Sequence, residues 1–208
     1  INNFAVREAR GEYLLFLNND VEIITESWLE EMLQLCQQKD VGMVGAKLYY
    51  PDDTIQHAGV VVGLGGVAAH VLCKLPRDAE GYMGRLRCVQ EISAVTAACM
   101  MVKTSVFKAV GGFDEELKVA FNDIDLCMKV RKYGVKIVFT PYAELYHYES
   151  KSRGMEDTPE KQLRFSREVN CFRRKWEREL LKGDPYYNPN LTLNNTDCSL
   201  RKQEKNGD

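Results

Sequence analysis

Short, continuously apolar runs alternate with segments of helical periodicity along this chain, and that alternation limits it to few folds. "YLLFL" (13–17), "VGMVGAKLYY" (41–50) and "VKIVF" (135–139) are such runs. Tyr13–Leu17 has the pattern of a strand covered on both faces in a parallel sheet. Between the runs, Trp28, Leu29, Met32, Leu33 and Cys36 recur at helical spacing behind Ser27-x-x-Glu30, a capping-box pattern. Thr104 to Val110 reads as a short helix ending at Gly111-Gly112, and Asn122 to Tyr133 as a longer one stopped by Gly134. Thr158-Pro159 opens the last helix, with Phe165, Val169, Phe172, Trp176 and Leu180 in register. Residues 3–10 read as a helix end with Gly11 in the C-terminal position, and 92–103 as a strand. The glycine-rich 57–70 reads as strands or a loop. Strands alternating with helices imply an α/β layered sheet.

A chain of 208 residues, 45% hydrophobic and 28% charged, can bury one ordinary core. Its formal net charge of -2 argues against nucleic acid as a partner. Seven cysteines, odd in number and never spaced CxxC, argue against a disulfide framework or a zinc knuckle. A reducing, cytoplasmic location is expected on that basis. Asn190-Leu-Thr and Asn194-Asn-Thr fit the N-glycosylation pattern, which arises often by chance. The chain opens at Ile1 inside a helical-looking segment, so it reads as a piece of a longer protein. Residues 1–183 carry all of these elements and are expected to form one domain. Residues 184–208, polar and rich in Asn, would be a C-terminal extension with disordered last residues.

Three polar clusters carry the candidate chemistry. In "LLFLNNDVEI" an apolar strand runs straight into Asn18, Asn19 and Asp20. Ligands of α/β sheets sit beyond the carboxyl ends of strands, and a carboxylate there can hold a hard divalent cation. The same three residues also make an ordinary Asx turn. In "FNDIDL", Asn122, Asp123 and Asp125 open a helix. Carboxylates there are usually caps, but two at i and i+2 point different ways, so one can cap while the other serves as a base. In "HYESKSRG", His147, Ser152 and Arg153 can complete a metal site and bind phosphate, or form a polar surface loop. Residues 160–182 carry eight Lys or Arg against four Asp or Glu. That excess suits a lipid-diphosphate acceptor or peripheral contact with an anionic membrane at its inner face, and equally a solvated helix face. His57 and His70 are assigned no role.

In this order the clusters resemble the family 2 glycosyltransferases, which have the GT-A fold. "LNNDVEI" resembles the Asp-x-Asp segment that holds the donor diphosphate through a metal. "GGFDEELKVAFNDIDLCMKVRKYG" (111–134) resembles the stretch ending in Glu-Asp-x-Asp-Leu, and "LYHYESKSRG" (145–154) the His-x-x-Ser-x-Ser segment. "QHAGVVVGLGG" (56–66) and "DPYYNPNLTL" (184–193) match the rhamnosyltransferase-like branch. The resemblance implies an inverting transfer from a nucleotide-sugar donor to a saccharide or lipid-linked acceptor hydroxyl, in cell-surface polysaccharide synthesis. It makes Asp123 the base, Asp20 and His147 ligands of Mn2+ or Mg2+, and Asp125 a cap or an acceptor contact. Asn18, Asn19, Asn122, Ser152 and Arg153 would contact donor or acceptor. Asn18 replaces the first acid of Asp-x-Asp, and Asn122 the Glu before the base. The family's opening strand, resembling "SIIIPTYN", and its nucleotide-base pocket have no counterpart here. The resemblance therefore implies a GT-A Rossmann-like sheet truncated at the N-terminus, with weak or no turnover by this chain alone.

Two other classes compete. A haloacid-dehalogenase-type phosphohydrolase needs Asp at position 18 as nucleophile, and an amide cannot form an aspartyl phosphate. A non-catalytic carbohydrate- or protein-binding module derived from a transferase would account for Asn18 and Asn122 as decay.

Overall fold

The computed structural model describes residues 1–148 and 158–202. Helix α1 (Asn2–Glu8) leads into β1 (Tyr13–Leu17) and, after a turn, β2 (Val21–Ile23). Next come α2 (Trp28–Cys36), β3 (Val41–Tyr49), β4 (Ile55–His57), β5 (Val60–Val62) and β6 (Ala68–His70). β7 (Gln90–Glu91), β8 (Cys99–Lys103), α3 (Thr104–Ala109) and α4 (Asn122–Tyr133) follow. The long β9 (Lys136–His147) then precedes α5 (Pro159–Lys175) and α6 (Glu177–Lys182).

A seven-stranded sheet runs in the order β1-β8-β3-β9-β2, with β4 paired to β3 and β7 to β9, while β5 and β6 form a separate hairpin. Strand β3 is buried at every residue, because helices cover both faces. On one side Val44, Ala46 and Leu48 meet Trp28, Met32 and Cys36 of α2. On the other, Met43 and Tyr49 join Phe107 of α3, Leu126 of α4 and Phe172 of α5. The α/β layered sheet expected from the alternating pattern is therefore present.

The sheet is mixed rather than parallel: among the described strands only β3 and β9 run parallel. Strand β1 pairs antiparallel with β8 at the end of the sheet, and Leu15 and Leu17 are exposed. An apolar run reports side-chain character, not the direction of the neighbouring strand or what covers its second face. The sequence also shortens β9, which continues past "VKIVF" to His147. Between the pairs Gly45↔Phe139 and Lys47↔Glu144, two residues of β3 span five of β9. This bulge holds Pro141, which has no N–H for the ladder. The strand expected over 92–103 is regular only from Cys99, and residues 92–98 are irregular.

Of the two proposed caps, Thr158 accepts a hydrogen bond from Lys161 N–H at 3.3 Å. Ser27 sits at the N-cap of α2 without a side-chain cap bond, so the capping box does not form. Helix α1 ends at Glu8 with Ala9 extended, so Gly11 is not its cap. The polar tail is described as far as residue 202. Tyr187, Leu191 and Cys198 are buried in the main core. Asp184 accepts from Val62 N–H at 2.8 Å and from the Ser93 hydroxyl at 2.6 Å, and Arg201 N–H donates to the Asn190 carbonyl at 2.8 Å. No described helix is long and apolar enough to cross a membrane.

Candidate active site

Strand β1 delivers Asn18 to the mouth of the sheet. Its backbone N–H donates to the Ala98 carbonyl at 3.0 Å, carrying the β1–β8 pairing one residue beyond the strand. The chain then turns through Asn19, which is exposed, and Asp20, so the turn and the site occupy the same residues. Strand β9 ends opposite, with His147 paired to Val21 and Tyr148 N–H donating to the Asp20 carbonyl at 2.8 Å. The consequence is that Asn18, Asp20 and His147 meet. Asn18 Nδ2 lies 3.0 Å from His147 Nε2, and Asp20 Oδ1 lies 3.3 Å from the same atom. Asp20 Oδ1 is buried without a hydrogen-bond partner.

Asp123 stands in the first turn of α4, half-buried. Its carboxylate accepts from Ala97 N–H at 3.1 Å and from Ile124 N–H at 2.9 Å. Residues 96–98 therefore tie the clusters together. Ala98 holds Asn18 through its carbonyl, Ala97 holds Asp123 through its N–H, and Thr96 N–H points at His57 Nε2 at 3.5 Å. Burial pushes the His57 imidazole well below its ordinary pKa, and His70 and His147 push it the same way. Asn18, His57 and Asp123, far apart in sequence, are thus each hydrogen-bonded to one of three consecutive residues.

The remaining candidates divide. Asn122 Nδ2 donates to the Val119 carbonyl at 3.3 Å, which closes the loop ahead of α4. Asp125, expected to cap the helix or face an acceptor, is fully buried. It accepts from Trp176 Nε1–H at 2.8 Å and pairs with Lys175 at 2.7 Å and Lys129 at 3.1 Å. Its role is to fasten α4 to the end of α5; its place two residues after Asp123 turns it into the core. Ser152 and Arg153 lie outside the described residues.

Two residues with no individual signal in the sequence complete the arrangement. Glu168 of α5, 3% exposed, accepts from Lys118 N–H at 3.0 Å, Val119 N–H at 3.1 Å and Ala120 N–H at 2.9 Å. It braces the loop that enters α4. Gln56 of β4 contacts both the ring and the backbone of His147. A sequence cannot announce these contacts, since Glu168 looks like any helical acid and Gln56 lies 91 residues from its partner.

The residues fit a divalent cation in part. A carboxylate oxygen with no hydrogen-bond partner beside an imidazole nitrogen is a ligand pair suited to Mn2+. Among the described residues no cluster of three or more His, Cys, Asp or Glu stands ready to hold a metal. The other ligands would be diphosphate and water oxygens.

Residues 2–168 match the glycosyltransferase-like family. The chain belongs to that family. It is 57% identical over 201 residues to the uncharacterized protein y4gI of Sinorhizobium fredii, covering 96% of the chain and 22% of that relative. It is 42% identical over 209 residues to the O-antigen biosynthesis protein RfbC of Myxococcus xanthus, covering 100% of the chain and 16% of RfbC. The chain thus spans about a fifth of the length of these curated relatives. Among solved structures it superposes on the mannosyltransferase PcManGT from Pyrobaculum calidifontis in complex with GDP-Man and Mn2+. The TM-score is 0.54 at 16% identity, covering 85% of this chain and 42% of PcManGT. The fold is that of the GT-A glycosyltransferases.

Proposed function

We propose that this chain carries the catalytic part of an inverting glycosyltransferase. It moves a sugar from a nucleotide-diphosphate donor to the hydroxyl of a saccharide or lipid-linked acceptor, in cell-surface polysaccharide synthesis. The observation that carries this reading is the 96–98 junction, where Asp123 and the Asn18-Asp20-His147 group hang on adjacent residues. Asp123 is the base. The N–H groups of Ala97 and Ile124 fix its carboxylate, so that it accepts the acceptor hydroxyl's proton as that oxygen attacks the anomeric carbon. Attack from the face opposite the leaving diphosphate inverts the anomeric centre. Asp20 and His147 would hold a divalent cation, and Asn18, which adds no charge, orients the donor side. When bound, the cation supplies charge stabilisation for the leaving diphosphate. RfbC's name points to O-antigen assembly for that relative, which supports a polysaccharide product here.

The test is Asp123→Asn in the full-length parent protein. Turnover is expected to fall by about 10²–10⁴-fold with donor binding retained, since a general base contributes about that much. Unchanged turnover would overturn the assignment and favour a binding module.

A further inference from the structure

Gln56 is 3% exposed, in the strand that pairs with the end of β3. A buried amide must place both its donor and its acceptor. Gln56 Nε2 lies 3.2 Å from the His147 carbonyl oxygen, and Gln56 Oε1 lies 2.7 Å from His147 Nδ1. These two contacts fix each other. A backbone carbonyl only accepts, so the amide nitrogen faces it and the amide oxygen faces the ring. An amide oxygen also only accepts, so Nδ1 carries the proton. A neutral imidazole has one N–H, which leaves Nε2 with a lone pair. Nε2 is the atom that accepts from Asn18 Nδ2–H and stands 3.3 Å from Asp20 Oδ1.

This tautomer changes what the Asp20–His147 contact is. With Nε2 unprotonated, no proton lies between it and Asp20 Oδ1, and that oxygen has no hydrogen-bond partner. Two acceptors are held close together, an arrangement that repels itself until a cation enters.

We infer that Gln56 is a positioning residue for the metal-binding pair. By accepting from Nδ1–H and donating to the carbonyl of the same histidine, it locks the tautomer and the rotation that aim Nε2 at Asp20. The inference rests on the reading of Asp20 and His147 as cation ligands. Outer-shell partners of ligating histidines act in this way, fixing the tautomer and raising basicity. The backbone at Gln56 is itself fixed, because its main-chain carbonyl accepts from His70 Nδ1 at 2.9 Å and the His70 ring packs edge-on against His57, centroids 4.8 Å apart. The "QHAG" stretch, left without a role by the sequence, becomes the rear support of the site.

The experiment reads the tautomer directly. Protein labelled with 15N at its three histidines is examined by long-range 1H–15N correlation well above the usual imidazole pKa, with His147→Ala assigning the signal. Wild-type His147 is expected to be protonated at Nδ1. Gln56→Met, which removes the acceptor, is expected to shift His147 toward Nε2 protonation, whereas Gln56→Glu keeps the acceptor and the Nδ1 proton. Mn2+ titration with UDP or GDP present, followed by electron paramagnetic resonance, is then expected to show roughly 10–100-fold weaker binding in Gln56→Met. Gln56→Glu should bind no more weakly than wild type. Nε2 protonation in the wild type, or an unchanged tautomer in folded Gln56→Met, would overturn the inference. If Gln56→Met fails to fold, the wild-type and Gln56→Glu spectra still decide it. An Nδ1-protonated His147 in a protein that takes up no Mn2+ would instead overturn the metal reading, and with it the purpose assigned to Gln56.

Discussion

Replacing Glu168 by glutamine should both loosen the fold and impair the site. Glu168 Oε1 accepts from Lys118 and Val119 N–H, and Oε2 from Ala120 N–H. An amide can keep its oxygen on the first two, but its NH2 then faces the third donor. One charge-assisted bond, worth about 1.5–3 kcal/mol, is lost, and the other two weaken as their acceptor becomes neutral. Arg164 adds little, since its Nε is 3.9 Å from Oε2. The sum is about 3 kcal/mol, or roughly 6–12 °C in melting temperature for a domain of this size. Urea denaturation measures it as a lower midpoint at unchanged slope. Because the loop 118–121 runs into Asn122 and Asp123, turnover of the full-length parent protein should fall further than the folded fraction does. A Glu168→Gln protein within about 0.5 kcal/mol of wild type, the range of neutral surface changes, would refute the bracing role.

Two other outcomes follow from packing and charge. A Cβ at Gly45 would lie 2.3 Å from Val95 Cγ1 and 2.5 Å from Val95 Cβ. The second atom cannot rotate away, so Gly45→Ala should cost about 1–3 kcal/mol by thermal unfolding, and wild-type stability would contradict the close packing of β3 on this segment. His57 is neutral in the fold while the unfolded chain takes up a proton near pH 6.5, so stability falls as pH drops below that value. The loss from this group is about 1.4 kcal/mol by about pH 5.5, and a pH series on His57→Asn should show a correspondingly flatter slope.

Local rules read well where one residue settles the backbone. Gly134, at φ 96°, ends α4 where the sequence placed the stop, and Gly111 and Gly112 take the left-handed conformation after α3. They read less well where the deciding partner is remote. The strand read over 135–139 does not end there, because the bulge against β3 carries β9 past Pro141 to His147. Had the strand stopped there, His147 would not face Asp20. The two carboxylates of "FNDIDL" were expected to point different ways, and Asp125 is taken up by Trp176 and two lysines. Asn18, Asp20 and His147 were legible as a group through family resemblance. Gln56 and Glu168 act on residues 91 and 48–50 positions away, and no local pattern encodes such a contact.

The central claim is that Asn18, Asp20 and His147 form the donor side of a glycosyl-transfer site. A thermal-shift titration with Mn2+, with and without UDP, dTDP and GDP, tests it most directly when run beside Asp20→Ala. Stabilisation that needs metal and nucleotide together, and disappears in Asp20→Ala, is the expected result. A shift that survives in the variant, or no shift with any of the three nucleotides in an N-terminally extended protein, would contradict it.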